Sequence, residues 1–290
     1  MEPVEGPEAL DVAKLRNRRS RILTRGAGAQ GVAVASISTL VFCGAVAVAI
    51  VNSPGWASVR RAFFSGTYFH QSFGPTWHAF QLNIKMFLIA EVLILAFAMV
   101  LAVLRSLPGP VFLPIRLLAI GYTDLFRGIP TILLVLLFGF GIPTLQLSHV
   151  TRDPVYLGAA ALVVIYTAYV SEVYRAGIDS VHPSQEAAAR SLGLTRGQTM
   201  QTVILPQAVR RVIPPLLNDF IGLQKDTALI SVLGPVEALQ RANLGSASEF
   251  NYTPYVVAAF FFVLITVPQA RLTDWLIARD RKRQMAGGRV

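Results

Sequence analysis

The sequence predicts an all-α, polytopic membrane protein with about six transmembrane helices, and two observations carry this prediction. Hydrophobic residues make up 53% of the 290 residues and charged residues only 14%, well below the roughly 25% typical of soluble domains. The charges are also unevenly placed: no Asp, Glu, Lys or Arg occurs in the windows 26–59, 128–151, 154–171 and 250–270. Because about 20 apolar residues cross the hydrocarbon core as a helix, each window is a candidate span.

Two further spans are less apolar. Met86–Leu104 contains one charged residue, Glu91, and the segment 207–233 carries Asp219, Lys225 and Asp226 besides Arg210 and Arg211 near its start. Both are retained because of a family resemblance described below. The predicted spans are 27–51, 78–104, 112–142, 154–178, 207–233 and 253–274.

The third of these spans contains an interruption. Arg127, Gly128 and Pro130 fall within an otherwise apolar stretch, and proline removes a backbone donor and bends a helix. Two interpretations stay open: a broken helix that lines a cavity, or a helix that simply starts at Pro130.

The basic residues predict the orientation. With six spans, 20 of the 26 Lys and Arg residues fall on the side of the N-terminus, so the positive-inside rule places both termini in the cytoplasm. The first span also resembles a signal peptide, although its length favours an uncleaved anchor. The predicted organisation is a basic arm at 1–26, a span at 27–51, an extracytoplasmic loop at 52–76, a transmembrane domain at 77–276 with a cytoplasmic loop at 181–206, and a basic tail at 277–290.

Signals of catalysis or metal binding are missing. The single cysteine, Cys43, and four scattered histidines show no metal-ligand spacing. No nucleophile, base and orienting group stand in a recognisable arrangement, and the phosphate-binding motif GxxxxGK[ST] is absent. We therefore expect no catalytic residue, metal or cofactor in this chain.

The cytoplasmic loop is predicted to form two short helices. Pro183 suits a first helical turn and Ser184 can cap it, while Gly193 is placed to end the helix. Thr195 and Gln198 form a capping box for a second helix that runs until Pro206.

Residues 189–204 also look like a DNA-binding helix-turn-helix. That motif needs a third helix, and here the loop is closed at both ends by spans, so nucleic acid is disfavoured as a partner. An ordinary basic connector is the other alternative.

Five motifs make the chain resemble a known family. They are YTDLFRGIP at 122–130, EVYRAGI at 172–178, VILPQA at 203–208, PPLLNDF at 214–220 and KDTALI at 225–230. In this order and spacing they resemble the permease subunits of polar amino acid ABC importers, of the histidine, glutamine, glutamate and arginine type. The resemblance covers about residues 76–276.

This resemblance implies a five-helix type I importer core preceded by one extra span, in a bacterial cytoplasmic membrane. It implies a chain that is not an enzyme and that forms the pathway for a polar amino acid, with glutamate or glutamine favoured. The implied partners are an ATP-binding cassette ATPase dimer that holds ATP and Mg²⁺, a second permease that is identical or related, an extracytoplasmic solute-binding protein and membrane lipid.

In the family, the cytoplasmic loop is the helix that couples the permease to its ATPase. The implied coupling residues here are Ser184, Glu186, Ala187, Ala188, Ala189, Arg190, Leu192, Gly193 and Arg196. Docking is expected through a face of Ala188, Ala189 and Leu192. One position departs from the family, whose glutamate six residues before the glycine is Ala187 here. Glu186 lies one residue earlier, about 100° around a helix, and cannot replace it.

The fifth span is expected to line the pathway, because polar groups in a membrane face water, solute or a partner helix. Asn218, Gly222 and Lys225 share one helical face, and Asp226 and Thr227 follow them. Arg127 and Glu172 are further candidates, with packing or ion pairing near the cytoplasmic side as the alternative.

Two other functions remain open at this point. An ion-coupled secondary transporter would need no ATPase and would usually show related halves, which this sequence does not. A membrane-anchored regulator would use the helix-turn-helix-like loop to bind DNA.

Overall fold

The structure, a computed structural model, describes residues 29–107 and 109–287, and within these ranges it contains helices and their connections but no strand. The predicted basic arm at 1–26 lies outside the described residues. The chain divides into two compact units, residues 1–60 and residues 61–290.

The first unit contains one long helix, α1 (Ala29–Val51). Its 23 residues correspond to about 34 Å, enough to cross a bilayer. Every side chain described on it is exposed, although most are apolar. A helix that is apolar on all sides suits lipid, and this one is long and apolar enough to cross a membrane where the first span is predicted.

The second unit contains the other long apolar helices, α3 (Gly66–Ser106), α6 (Pro154–Asp179) and α11 (Thr253–Gly287). A short helix, α2 (Trp56–Phe63), precedes them. α3 begins 12 residues before the predicted span and contains Pro75, so the predicted loop at 52–76 is largely helical. α11 continues through most of the predicted tail at 277–290.

The predicted third span is broken. α4 (Leu113–Gly128) and α5 (Thr131–Leu136) meet at an angle of 105°. Ile129 between them is extended, with φ −90° and ψ 131°, because the ring of Pro130 disfavours the helical region for the preceding residue. A helix does start at this point, with Pro130 as the N-cap of α5, and the separate helix α4 ends just before it. α5 continues through a π-helical turn, Leu137–Gly141, and one further turn, Ile142–Thr144.

The number of spans does not reach the predicted six. In the described residues four helices are long and apolar enough to cross a membrane, and the bent pair makes a fifth. The helix of the predicted fifth span, α9 (Leu205–Asp226), has 22 residues but is more polar. It continues as the 3₁₀ helix Thr227–Leu233, which ends at Gly234 with φ 101°.

α6 lies at the centre of the second unit, in contact with α3, α4, α5 and α9. The fully buried side chains around it include Ile94, Leu162 and Leu223. α6 and α9 approach closely at Gly177, where a Cβ atom would clash with Cγ1 of Val212.

The two ends of the second unit are built from different elements. At one end, the connection from α6 to α9 forms two short helices, α7 (Pro183–Ser191) and α8 (Arg196–Thr199). At the other end, α10 (Ala238–Glu249) joins the end of α9 to the start of α11, and the Ser65 N–H beside the start of α3 donates to Thr253 Oγ1 at 3.2 Å. We call these the α7 end and the α10 end.

Candidate coupling segment and pathway face

The segment 181–206 begins with a capped helix, as predicted, but the capping residue is different. His182 is the N-cap of α7, and its Nδ1 accepts from the Ser184 N–H at 3.2 Å. The Ser184 hydroxyl lies 2.8 Å from the same nitrogen. The prediction that Ser184 caps the helix is therefore wrong, because Pro183 occupies the first helical position and places His182 before it.

The end of α7 confirms the prediction made for Gly193. This residue has φ +85°, a conformation that glycine adopts without steric penalty. Its N–H donates to Arg190 O at 3.0 Å, and the Leu194 N–H donates to Ala189 O at 3.3 Å. The two bonds form a Schellman motif, which fixes the direction in which the chain leaves the helix.

The capping box of the second helix is also confirmed. The Gln198 N–H donates to Thr195 Oγ1 at 3.3 Å, and the Thr195 N–H donates to Gln198 Oε1 at 2.9 Å. The predicted end of this helix at Pro206 is wrong, because α8 passes through a π-helical turn, Met200–Ile204, directly into α9. Pro206 lies in the first turn of α9, directly after the π-helical turn.

Most of the predicted coupling residues are on the surface. Leu192 is 83% exposed, Glu186 is half-buried, and the other exposed members are Ser184, Ala187, Ala188, Arg190, Gly193 and Arg196. Ala189 is the exception, with 4% of its surface exposed. Its predicted place on the docking face with Ala188 and Leu192 is therefore wrong, because the turn of α7 that carries it faces the rest of the chain.

Charged side chains join three helices next to this segment. Glu172 on α6 accepts from Arg105 on α3, and Arg105 also donates to Thr123 Oγ1 on α4 at 3.2 Å. Glu172 accepts as well from Arg175 at 2.8 Å, and Arg175 pairs with Asp179 at 2.7 Å. Glu172 thus holds α3, α4 and α6 together at the α7 end, in agreement with the ion-pair alternative.

The α9 face predicted to line the pathway is largely uncovered. Asn218 and Lys225 are exposed and Gly222 is half-buried. A Cβ atom on Gly222 would lie 3.0 Å from the Tyr166 hydroxyl, which donates to Asp226 Oδ2 at 3.0 Å. Lys225 makes no ion pair with a described residue. Asn218 and Lys225 are thus open, whereas Gly222 and Asp226 lie against Tyr166 of α6.

Thr227 lies behind this face and is fully buried. The Asn83 amide on α3 donates to Thr227 Oγ1 at 3.1 Å and to Glu237 Oε2 at 2.9 Å. Glu237 is the N-cap of α10 and accepts from two backbone N–H groups of that helix. Burial raises the pKa of the Glu237 carboxyl above its ordinary value.

Sequence reasoning missed Asn83 and Glu237. The available signal was an Asn inside a predicted span, since a polar residue in a membrane normally has a partner.

Two other polar residues occupy separate places. Arg127 is exposed at the end of α4, with its guanidinium 5.9 Å from the centre of the Tyr169 ring. Asp219 on α9 has a buried Oδ2 without a hydrogen-bond partner among the described residues. Neither residue joins the face formed by Asn218 and Lys225 through a described contact.

In the part of the chain that the structure describes, no three His, Cys, Asp or Glu side chains are grouped to hold a metal ion.

Comparison with known proteins gives consistent results. Residues 114–282 match the model of the family described as binding-protein-dependent transport system inner membrane component. A probable glutamine ABC transporter permease protein of Bacillus subtilis is 36% identical over 197 residues, which cover 67% of this chain and 90% of the relative. A glutamate transport system permease protein of Corynebacterium glutamicum is 33% identical over 66% of this chain and 87% of the relative.

Solved structures extend the comparison to the fold. The crystal structure of an amino acid ABC transporter with histidines superposes with a TM-score of 0.67 and 28% identity, covering 75% of this chain and 98% of the other. An inward-facing methionine ABC transporter superposes with a TM-score of 0.53 over 69% of this chain and 95% of the other, at 18% identity.

Proposed function

The chain belongs to the family of binding-protein-dependent transport system inner membrane components, and from this membership we propose that it is the permease subunit of an ATP-driven importer for a polar amino acid. Glutamine or glutamate is the favoured substrate, because relatives that share about a third of its residues carry those names. The observation that carries the proposal is the exposed, doubly capped segment at the α7 end, which continues without interruption into α9.

The proposed setting is a bacterial cytoplasmic membrane, with both termini and the α7 end in the cytoplasm. The excess of basic residues on this side supports the assignment. The α10 end then faces the extracytoplasmic space, where a solute-binding protein delivers the amino acid.

The segment 181–206 would couple the pathway to a separate ATPase dimer, which binds ATP and Mg²⁺. Leu192 and Ala188 offer an apolar contact, and Arg190 and Arg196 add positive charge beside it. Ala187 gives the ATPase no carboxylate, so apolar contact carries the docking. Because α8 and α9 are continuous, a displacement of the segment moves α9 with it.

The pathway would lie along the exposed face of α9 that carries Asn218 and Lys225. In this proposal the opposite wall comes from a second permease, identical or related, and lipid covers the remaining apolar surface. Asp226 acts through its bond to Tyr166, which holds α9 against α6.

The test compares two substitutions at side chains of equal exposure. Leu192 is 83% exposed in the coupling segment, and Val111 is 82% exposed between α3 and α4. We expect Leu192→Asp to lose the ATPase that copurifies with the wild-type chain, and to lose uptake of glutamine or glutamate in proteoliposomes. Val111→Asp should retain both.

If Leu192→Asp retains both activities, the coupling role of this segment is wrong. If the wild-type chain recovers no ATPase under conditions that keep a control importer intact, an ion-driven carrier becomes the better explanation. Sequence-specific DNA binding by a peptide of residues 179–212 would support the regulator instead.

A further inference from the structure

An apolar groove lies between three helices at the α7 end, and we call it the α3–α9 groove. Its walls are the last two turns of α3, the last two turns of α6 and the first two turns of α9, and its volume is about 100 Å³. Met99 and Val103 on α3 and Val209 on α9 line it, with exposures of 48%, 51% and 47%. The groove is therefore open to the exterior of the second unit.

The lining of the α3–α9 groove offers almost no polar group. Among the lining residues only Ser106 and Tyr174 carry a polar side-chain atom. The Ser106 hydroxyl is already used, since it donates to the Val103 carbonyl at 2.9 Å. Water is not held stably in such a place, because it lacks hydrogen-bond partners there. An apolar ligand therefore fits the groove better than a polar one.

The dimensions of the groove suit part of a lipid acyl chain. Its α3 wall, Met99 to Ser106, and its α9 wall, Leu205 to Val212, each rise about 10 Å. One leaflet of a bilayer accounts for about 15 Å of the hydrocarbon core. Because α3 and α6 end and α9 begins at the α7 end, the groove starts at the surface of the leaflet on that side and runs into it.

The groove lies on the side of α9 that faces away from the proposed pathway. Val209 and Asn218 are nine residues apart on this helix, and at about 100° per residue they lie on opposite sides of it. In the proposed importer the Asn218 side faces the second permease, so the Val209 side faces the bilayer. Lipid then has direct access to the groove, and in this step the inference rests on the proposed function.

A positive charge lies at the mouth of the groove. The exposed Arg211 on α9 donates to the carbonyl of Ser180, the C-cap of α6. Arg211 directly precedes the lining residue Val212, and Ser180 follows the lining residue Ile178 by two positions. The nearby Asp179 is neutralised by an ion pair within α6, whereas Arg211 forms no ion pair with a described residue. Its charge is therefore available to an anion at this place.

We propose that the α3–α9 groove binds one acyl chain of an anionic phospholipid from the cytoplasmic leaflet, with the phosphate of the headgroup on Arg211. Arginine is a strong phosphate ligand, because its N–H groups can donate in pairs to two phosphate oxygens. The bound lipid contacts α3, α6 and α9 together. It therefore opposes separation of α9 from the other two helices when the coupling segment moves.

The first test fills the groove. Val103→Phe places a larger apolar side chain in it, and Val100→Phe is the matched control, because Val100 is 56% exposed on the same helix and lies outside the lining. The permease–ATPase complex is released from nanodiscs, and its bound lipids are counted by native mass spectrometry. The probes are phosphatidylglycerol and phosphatidylcholine with identical acyl chains. We expect the wild type and Val100→Phe to retain one tightly bound phosphatidylglycerol, which Val103→Phe loses.

The second test removes the charge at the mouth. Arg211→Gln keeps a donor for the Ser180 carbonyl, and an unchanged Tm would show that the variant folds. We expect its affinity for phosphatidylglycerol to fall about fivefold, and its affinity for phosphatidylcholine to stay the same. Arg210→Gln is the matched control, because Arg210 is also exposed but lies about 100° away around α9. An equal effect of the two substitutions would mean that general surface charge attracts the lipid, and it would overturn the inference.

A photoactivatable phosphatidylglycerol with a diazirine on its acyl chain identifies the occupant directly. Cross-links should concentrate on Met99, Val103 and Val209. An even spread over the exposed apolar residues would mean ordinary boundary lipid, and no cross-link in the groove would mean that α1 or the second permease covers it; either result would overturn the inference. The proposed function would survive both, because ATPase recovery and uptake are measured separately. If the wild-type chain recovers no ATPase, the proposed function fails, and cross-linking of the chain alone still decides whether the groove holds lipid.

Discussion

Removal of the Glu172 carboxylate should destabilise the α7 end strongly. Glu172 accepts from Arg105 on α3 and from Arg175 on its own helix. In Glu172→Gln the charge is lost while the shape is kept. The Arg105 side chain, only 11% exposed, then holds a positive charge with no counter-ion beside it.

The magnitude follows from the burial. Removal of one partner from a buried ion pair costs about 3–5 kcal/mol, and the side-chain exposures of 11% and 15% place this pair near about 3 kcal/mol. For a chain of this size 1 kcal/mol corresponds to about 2–4 °C in Tm, so Glu172→Gln should melt about 6–12 °C lower. Arg175 is 46% exposed, and Arg175→Ala should cost about 0.2–1 kcal/mol.

The assay is thermal unfolding in nanodiscs at one fixed scan rate, because unfolding of such proteins is often irreversible. The double variant Arg105→Met/Glu172→Met removes both charges, and it should melt closer to the wild type than Glu172→Gln does. If the double variant is as unstable as Glu172→Gln, the loss is one of packing. If Glu172→Gln melts within about 2 °C of the wild type, the ion pair is hydrated and contributes no more than a surface pair does. That result would refute the expected loss of about 3 kcal/mol.

Four further outcomes are expected. Gly177→Ala forces Val212 away from α6 and should cost about 1–3 kcal/mol. Adding Val212→Ala should restore the Tm of that variant, and a failure to do so would show that the two helices do not pack at this point. Gly193→Ala should reduce ATPase recovery whereas Gly193→Asn, which tolerates the left-handed conformation, should not; equal recovery would show that the turn is not needed. Asn83→Ala removes the side-chain donor to Glu237 and leaves the Ala238 N–H without its acceptor, and it should cost about 1–3 kcal/mol, a loss that an unchanged Tm would contradict. Burial raises the pKa of Glu237 in the folded state above its pKa in the unfolded chain. The resulting contribution to stability is therefore fully present at pH below the unfolded-state pKa and is lost as pH rises through the folded-state pKa. Tm measured against pH should show this loss in the wild type but not in Glu237→Gln.

The local features of the α7 end could be predicted from the sequence because short-range chemistry determines them. The capping box of Thr195 and Gln198 needs only four consecutive residues, and Gly193 is required wherever a helix ends in the left-handed conformation. The break at Pro130 likewise follows from a steric clash with its immediate neighbour. In each case the interacting groups are close in the chain.

Features that depend on distant residues could not be predicted in the same way. Asn83 and Glu237 are separated by 154 positions, and a single sequence carries no signal that pairs them. Ala189 and Ala188 are identical in type, and their different exposure depends on where the α7 end packs. α9 could be placed only by resemblance, because its charged residues, Lys225 on the open surface and Asp226 turned towards α6 among them, lower its hydropathy.

The π-helical turn Met200–Ile204 fixes the angular relation between two surfaces of the molecule. A π turn takes in one residue more than an α-helical turn, and one residue corresponds to about 100° around a helix. If this turn became α-helical with all its residues kept, the side of α9 that bears Asn218 would therefore swing by about 100° relative to Leu192, whereas deletion of one residue between 200 and 204 would give a regular helix and leave both surfaces in place. The full-length chain with a regular α-helix at this position would still present the capped helices of the α7 end, yet Asn218 and Lys225 would face a different direction.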